Sequence, residues 1–262
     1  MSSINRARAT SSHHPEEDPE YPVFALDAIM KVHLAEDAPH LLERLMSATA
    51  AIGVTASIYT VAIPETGTEP SSFSLFACHP GFAQQQCRLG PLLNHPWFRV
   101  ARTRSAPSTD RQVQARQSSD TEAIELARRY GFTSCLIVPT SSSVDPERLE
   151  MLCLGSNRGD AFEGEDARMV RTLARALAAE LHDWVSRHLS ESLQEAAQLH
   201  ETDIELLRLE WQGLSTKEIS LKTGLSTATV DSRFQRLNSR LQCANRKASA
   251  RRAAAYGLLE GT

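Results

Sequence analysis

The stretch Ser215–Arg240 leaves the chain little choice of structure. Ser215-Thr-Lys-Glu218 is a capping box, in which the serine hydroxyl accepts from the N–H three residues on and the Glu218 carboxylate reaches back. It starts a short helix carrying Ile219. Gly224 ends that helix, supplying the positive φ a tight inter-helix turn requires, and Ser226 caps the next. In the second helix Val230, Phe234, Leu237 and Leu241 form one apolar stripe. The remaining faces carry Asp231, Ser232, Arg233, Gln235, Arg236, Ser239 and Arg240, the donors, acceptors and positive charge that a helix lying in a DNA major groove presents. Asn245 is placed to cap a final helix through Ala255, with Gly257 at its end. A plain helical bundle with a solvated basic face would leave this succession of cap, glycine turn and second cap unexplained.

Charge is distributed to match. Gly213–Arg252 holds nine Lys/Arg and two Asp/Glu, while the whole chain is at net −4, so a basic block ends an acidic body. That asymmetry points to a polyanionic partner at the C-terminal end. The chain's 262 residues suggest two domains. Five cysteines, Cys78, Cys87, Cys135, Cys153 and Cys243, include no C-x-x-C pair and read as reduced thiols, several in apolar runs, of a cytoplasmic protein. No run approaches the roughly 20 apolar residues of a membrane helix. Residues 1–20 have no apolar core of a signal peptide and read as a disordered tail; its adjacent His13 and His14 are expected to bind no metal.

Helical spacing runs over Phe24–His33. Asp37 with Pro39 opens a second helix to about Ile52, closed by Gly53. Val54–Ile63 and Phe73–Cys78 read as strands, with a Pro/Gly/Thr loop between them, Pro64–Pro70. Phe82–Gln117 is ambiguous apart from a helix after Pro96, and Ser119–Tyr130 reads as a helix closed by Gly131. Phe132–Pro139 and Leu149–Ser156 form a hairpin across the turn chemistry of Thr140–Arg148, followed by a long helix from about Glu163 to His188. The fold class is α+β: an N-terminal α-β-α sandwich with an antiparallel sheet at 21–188, a partly helical linker at 189–198, and an all-α helix-turn-helix domain at 199–262.

Leu199-His-Glu-Thr-Asp-Ile-Glu-Leu-Leu-Arg-Leu, Gly213-Leu-Ser-Thr-Lys-Glu-Ile219, Ser226 with Thr229-Val230, Leu241, Arg246 and Gly257-Leu-Leu259 resemble the DNA-binding domain of the LuxR family. The resemblance implies four helices, dimerisation partly through the last, and the third in the major groove. It places Asp231 and Gln235 at base-reading positions; Lys217, Arg233, Arg236 and Arg240 suit phosphate contacts, and Thr227 and Ser232 join the DNA-binding set. The sequence departs from the family pattern at Thr223, usually apolar, and at Asp231 and Arg233, where Lys or Asn and His are common. Asp231 either accepts from cytosine N4 or weakens binding in a groove of negative potential.

His79-Pro80, His95-Pro-Trp-Phe-Arg-Val-Ala-Arg-Thr-Arg-Ser-Ala-Pro107 and Ala127-Arg-Arg-Tyr-Gly131 through Pro139 run in the order of the autoinducer-binding, GAF/PAS-like domain of quorum-sensing regulators. Without gaps, the pocket positions that in the family are Tyr, Trp, Tyr and Asp fall on Cys78, Phe82, Gln86 and His95. A histidine accepts from a ligand amide only as a neutral tautomer, so the set for an acyl-homoserine lactone is incomplete. Three readings stay open: a different, more apolar ligand held by Tyr59, Cys78, Phe82, Gln86, His95, Trp97 and Phe98; no ligand, the domain acting as a constitutive dimeriser; or a gap between Cys78 and His95 that shifts the correspondence.

The chain thus reads as an orphan-type LuxR-family regulator, a homodimer on an inverted-repeat promoter site in double-stranded DNA. It needs no cofactor, and works with RNA polymerase if it activates. The competing reading is a chain that heterodimerises with a related regulator and blocks it without DNA affinity of its own. No Ser/His/Asp set, metal-ligand spacing or phosphate loop suggests an enzyme, so no catalytic or metal residues are assigned.

Overall fold

A computed structural model describes residues 20–63, 70–141, 148–165 and 167–259. The tail expected over 1–20 lies outside them apart from Glu20, as do most of the Pro64–Pro70 loop and the centre of the Thr140–Arg148 connection.

Helices α1 (Tyr21–Met30) and α2 (Ala38–Ala51) lead into strands β1 (Ala56–Ile63) and β2 (Ser71–Ala77). Then come α3 (Pro80–Leu89), α4 (Pro96–Thr103), a two-residue β3 (Ser108–Thr109), α5 (Ser118–Arg129), β4 (Ser134–Ser141), β5 (Leu149–Ser156) and the 30-residue α6 (Ala167–Ala196). The strands form one antiparallel sheet in the order β2-β1-β5-β4-β3. Every residue of β1 is buried, because helices cover both faces. Strand side chains alternate between faces: Tyr59, Val61 and Ile63 pack with α1, α2 and α6, while Ile58 and Ala62 pack with α3, α4 and α5. This is the α-β-α sandwich.

Local chemistry accounts for the helix starts. Asp37 accepts from the His40 N–H at 2.8 Å, with Pro39 in the first turn of α2. Two His-Pro pairs do the same: His79 Nδ1 accepts from the Gly81 N–H at 3.1 Å to start α3, and His95 Nδ1 from the Trp97 N–H at 3.3 Å to start α4. The sequence reading missed α3 because histidine is not among the usual caps, and β3 because two residues carry no pattern. At Gly155 on β5 a Cβ would run into the Phe132 ring, so only glycine lets that ring lie on the sheet.

The second unit contains α7 (Glu201–Trp211), α8 (Thr216–Thr223), α9 (Thr227–Arg240) and α10 (Arg246–Ala255) around Ile204, Leu207, Ile219, Val230, Phe234, Leu237, Ala253 and Ala254. Ser215, Ser226 and Asn245 each accept from the N–H three residues on, and Gly224 takes φ 71°. Helix α6 continues through most of the segment read as a linker, and its Leu193 already packs in the second core. Ala255 of α10 is buried in the first core, and Tyr256 packs against both.

Candidate nucleic-acid interface and ligand face

Helix α9 is amphipathic by construction. Val230, Phe234 and Leu237 are buried, which turns Thr227, Asp231, Ser232, Gln235 and Arg236 to the exposed side. Lys217 is exposed in the first turn of α8. All six are exposed, Lys217 on α8 and the other five on α9. Glu218, opposite, completes the capping box; hydrogen bonds from the Ser215 side chain and backbone hold its carboxyl below the usual range.

Two basic residues depart from the expected roles. Arg240 donates to the Gln198 carbonyl and to Asp203 Oδ2, each at 2.7 Å. Its half-buried guanidinium ties the end of α9 to the start of α7, a bracing role that the sequence reading did not give it. Arg233 is half-buried and donates to Thr202 Oγ1 at 3.1 Å, leaving one edge toward the surface. Between His200, Thr202 and Asp203 on one side and Arg233, Arg236 and Ser239 on the other runs a groove of about 500 Å³.

Asp231 has a neighbour on α8. Thr216 Oγ1 lies 3.4 Å from its Oδ1 and accepts from Arg246 Nη1 at 2.7 Å. Arg246 in turn pairs with Glu210 at 3.0 Å and lies over the Phe234 ring at 5.8 Å. Thr216 and Arg246 had no site role in the sequence reading; residues 30 apart in the chain give no local sign of meeting.

On the α3/α4 side of the sheet, Phe82, Gln86, His95, Trp97 and Phe98 are all buried, and Cys78 is half-buried beside them. The rings lie against one another and against Phe132: Phe82–Phe132 centroids are 5.6 Å apart, Trp97–Phe132 5.2 Å and His95–Trp97 4.1 Å. Burial lowers the His95 pKa to about 4, so the ring is neutral near pH 7. Its Nδ1 lone pair is already used by the Trp97 N–H, so that atom cannot accept from a ligand. Burial also pushes the Cys78 thiol up to about 12, keeping it uncharged. Beside this layer a polar depression of about 370 Å³ is lined by Gln86, His95, Arg99, Gln117, Ser119 and Asp120. Arg99 holds Asp120 through both carboxylate oxygens, at 3.1 and 2.5 Å, and brings its pKa down to about 2.

Tyr59 does not join this group. Ile58 faces the aromatic layer, so its neighbour must face α6; there Tyr59 is fully buried and donates to Glu150 Oε2 at 2.6 Å. Its assignment to the ligand set is corrected accordingly. Among the described residues, no cluster of His, Cys, Asp and Glu could hold a metal, and no helix is long and apolar enough to cross a membrane.

No curated protein matches the sequence. The family model GerE, bacterial regulatory proteins of the luxR family, matches residues 197–253. Among solved structures, Escherichia coli SdiA is similar over 91% of this chain and 99% of its own, with TM-score 0.67 and 14% identity. SdiA in complex with octanoyl-rac-glycerol covers 94% and 99%, with TM-score 0.66 and 15% identity. The N-acylhomoserine lactone dependent LuxR-family factor CepR2 from Burkholderia cenocepacia covers 63% of this chain and 95% of its own, with TM-score 0.52 and 14% identity. At such identities the likeness speaks for the fold: the sandwich followed by four helices is the two-domain architecture of SdiA. Residues 197–253 thus match the luxR-family model of bacterial regulatory proteins, and they follow an α-β-α domain whose fold is that of SdiA.

Proposed function

We propose that the chain is a sequence-specific transcription regulator that binds inverted-repeat DNA as a symmetric dimer, in the compartment that holds the DNA. The observation that carries this reading is the outward face of α9, where Asp231, Ser232, Gln235 and Arg236 stand exposed over a core of Val230, Phe234 and Leu237. Gln235 and Asp231 are the base-reading pair, Gln suited to adenine and Asp to cytosine. Lys217, Thr227, Arg236 and the free edge of Arg233 contact phosphates. Dimerisation is supported by an apolar strip on α1 and its extension, with Val23, Phe24, Met30 and Leu34 exposed by 70%, 64%, 61% and 52%. Binding of the full chain to a random duplex pool, followed by sequencing, tests the reading. It predicts an inverted repeat with half-sites about 34 Å apart; recovery of no motif contradicts it.

The N-terminal domain is proposed to hold a neutral, largely apolar ligand or none. This is supported by the closely packed aromatic layer, the occupied His95 acceptor and the uncharged Cys78. SdiA, of the same fold, holds octanoyl-rac-glycerol, which has an acyl chain and no lactone ring. Thermal-shift measurements with an acyl-homoserine lactone series and a monoacylglycerol series test it: stabilisation by lactones alone would contradict it.

A further inference from the structure

One buried assembly has no part in either reading. Arg148, just before β5, and Glu150, within it, have side chains with no solvent exposure. Taking ions out of water is costly, so such a pair needs partners within the protein. Arg148 Nε lies against Glu150 Oε1. Glu150 Oε2 accepts from Tyr59 at 2.6 Å and lies 2.8 Å from His182 Nδ1. Arg148 Nη2 donates to Ser186 Oγ at 2.8 Å, and Nη1 to the carbonyl of Ala255 at 3.3 Å. The last bond leaves the sandwich, because Ala255 is the final residue of α10. The last carbonyls of a helix lack partners within it and carry the negative end of its dipole. A dry guanidinium is a strong partner for them, and the apolar packing agrees: Ala255 is buried in the sandwich core and Tyr256 bridges the two cores.

We propose that Arg148 is an interdomain latch. Aimed by Glu150, it clasps the C-terminal turn of α10 and holds the DNA-binding domain in one orientation on the sandwich. In a dimer this fixes the spacing of the two α9 helices before DNA arrives, so less ordering entropy is lost on binding. The strand that carries Glu150 also faces the aromatic layer: Met151 and Cys153 point there, and Leu152 points with Glu150 toward α6. A ligand that displaces β5 from the aromatic side therefore acts on the latch from the other. That last step rests on the ligand reading above; the latch itself does not.

The test uses the full chain and two variants. Arg148→Gln/Glu150→Gln removes both charges of the pair together; Tyr256→Ala loosens the contact from the α10 side and leaves the ion pair intact. Amide hydrogen exchange is followed over residues 250–257, and affinity is measured for an inverted repeat and for a single half-site. In both variants the latch predicts exchange in the last turn of α10 that is faster by about tenfold, with α7–α9 unchanged. Binding to the repeat weakens by about tenfold while half-site binding holds. Unchanged exchange in both variants, or an increase spread equally over α7–α9, overturns the latch. Should the wild type bind neither DNA, the regulator reading fails while the exchange result still decides the latch.

Discussion

In the C-terminal domain the charged groups of α9 lie outside a core of Val230, Phe234 and Leu237, whereas the sandwich takes Arg148, Glu150, Asp120 and His95 into its interior. The contrast separates two uses of polarity. Exterior groups cost the fold little and are free to meet a partner. Interior groups must be satisfied by atoms brought from elsewhere in the chain, so they dictate which elements lie together. Glu150 joins β1, β5 and α6 in one network, and Asp120 ties α5 to α4 through Arg99.

The sharpest way to break this comparison is to remove one member of each class. Glu150→Ala strands Arg148 as a buried, unpaired cation and is expected to cost about 3–5 kcal/mol in urea unfolding, against less than about 0.5 kcal/mol for Asp231→Ala on the exposed face. Equal costs would erase the distinction. Phe234→Ala probes the apolar side of α9: it should cost about 3–4 kcal/mol, within the range for emptying an aromatic site, and remove DNA binding with it. A smaller loss would mean that α9 is held by something other than its buried stripe.

His95 sharpens the comparison through pH. Its folded pKa of about 4 lies below the ordinary 6.5. The unfolded chain therefore takes up a proton that the buried ring refuses. The stability it contributes is complete above pH 6.5 and is lost progressively as pH falls toward 4, by about 3 kcal/mol over the full window. His95→Gln should flatten that part of a denaturation-versus-pH curve; an unaltered slope would place the ring in water. A smaller effect than that of His95 belongs to the local caps. Ser215→Ala should cost about 1 kcal/mol, seen as a lower melting temperature of the C-terminal domain and little change in the sandwich.

The same contrast explains what could be read in the sequence. Caps act across three residues, so Asp37, Ser215, Ser226 and Asn245 were legible, and with them α2, α8, α9 and α10. The outward face of α9 followed from its apolar stripe. In β1, by contrast, burial on both faces erases the polar–apolar alternation: Ser57 and Thr60 are as buried as Ile58 and Tyr59. That run therefore carries no sign of which face Tyr59 occupies. Arg148 sits after Asp145-Pro146 in a run of turn residues, and its partners Ser186 and Ala255 are 38 and 107 residues away. Arg240 looked like a free cation for the same reason, since Asp203 lies 37 residues upstream. What escaped the sequence was long-range polar pairing.

The central claim, that the exposed face of α9 reads duplex edges, meets its most direct test in base preference. Binding of the full chain and of Gln235→Ala is compared across single-base variants of its preferred site at several salt concentrations. The account predicts that the variant loses about 1–3 kcal/mol of discrimination at one position per half-site, with the salt dependence unchanged because phosphate contacts remain. Full discrimination retained at every position would contradict it.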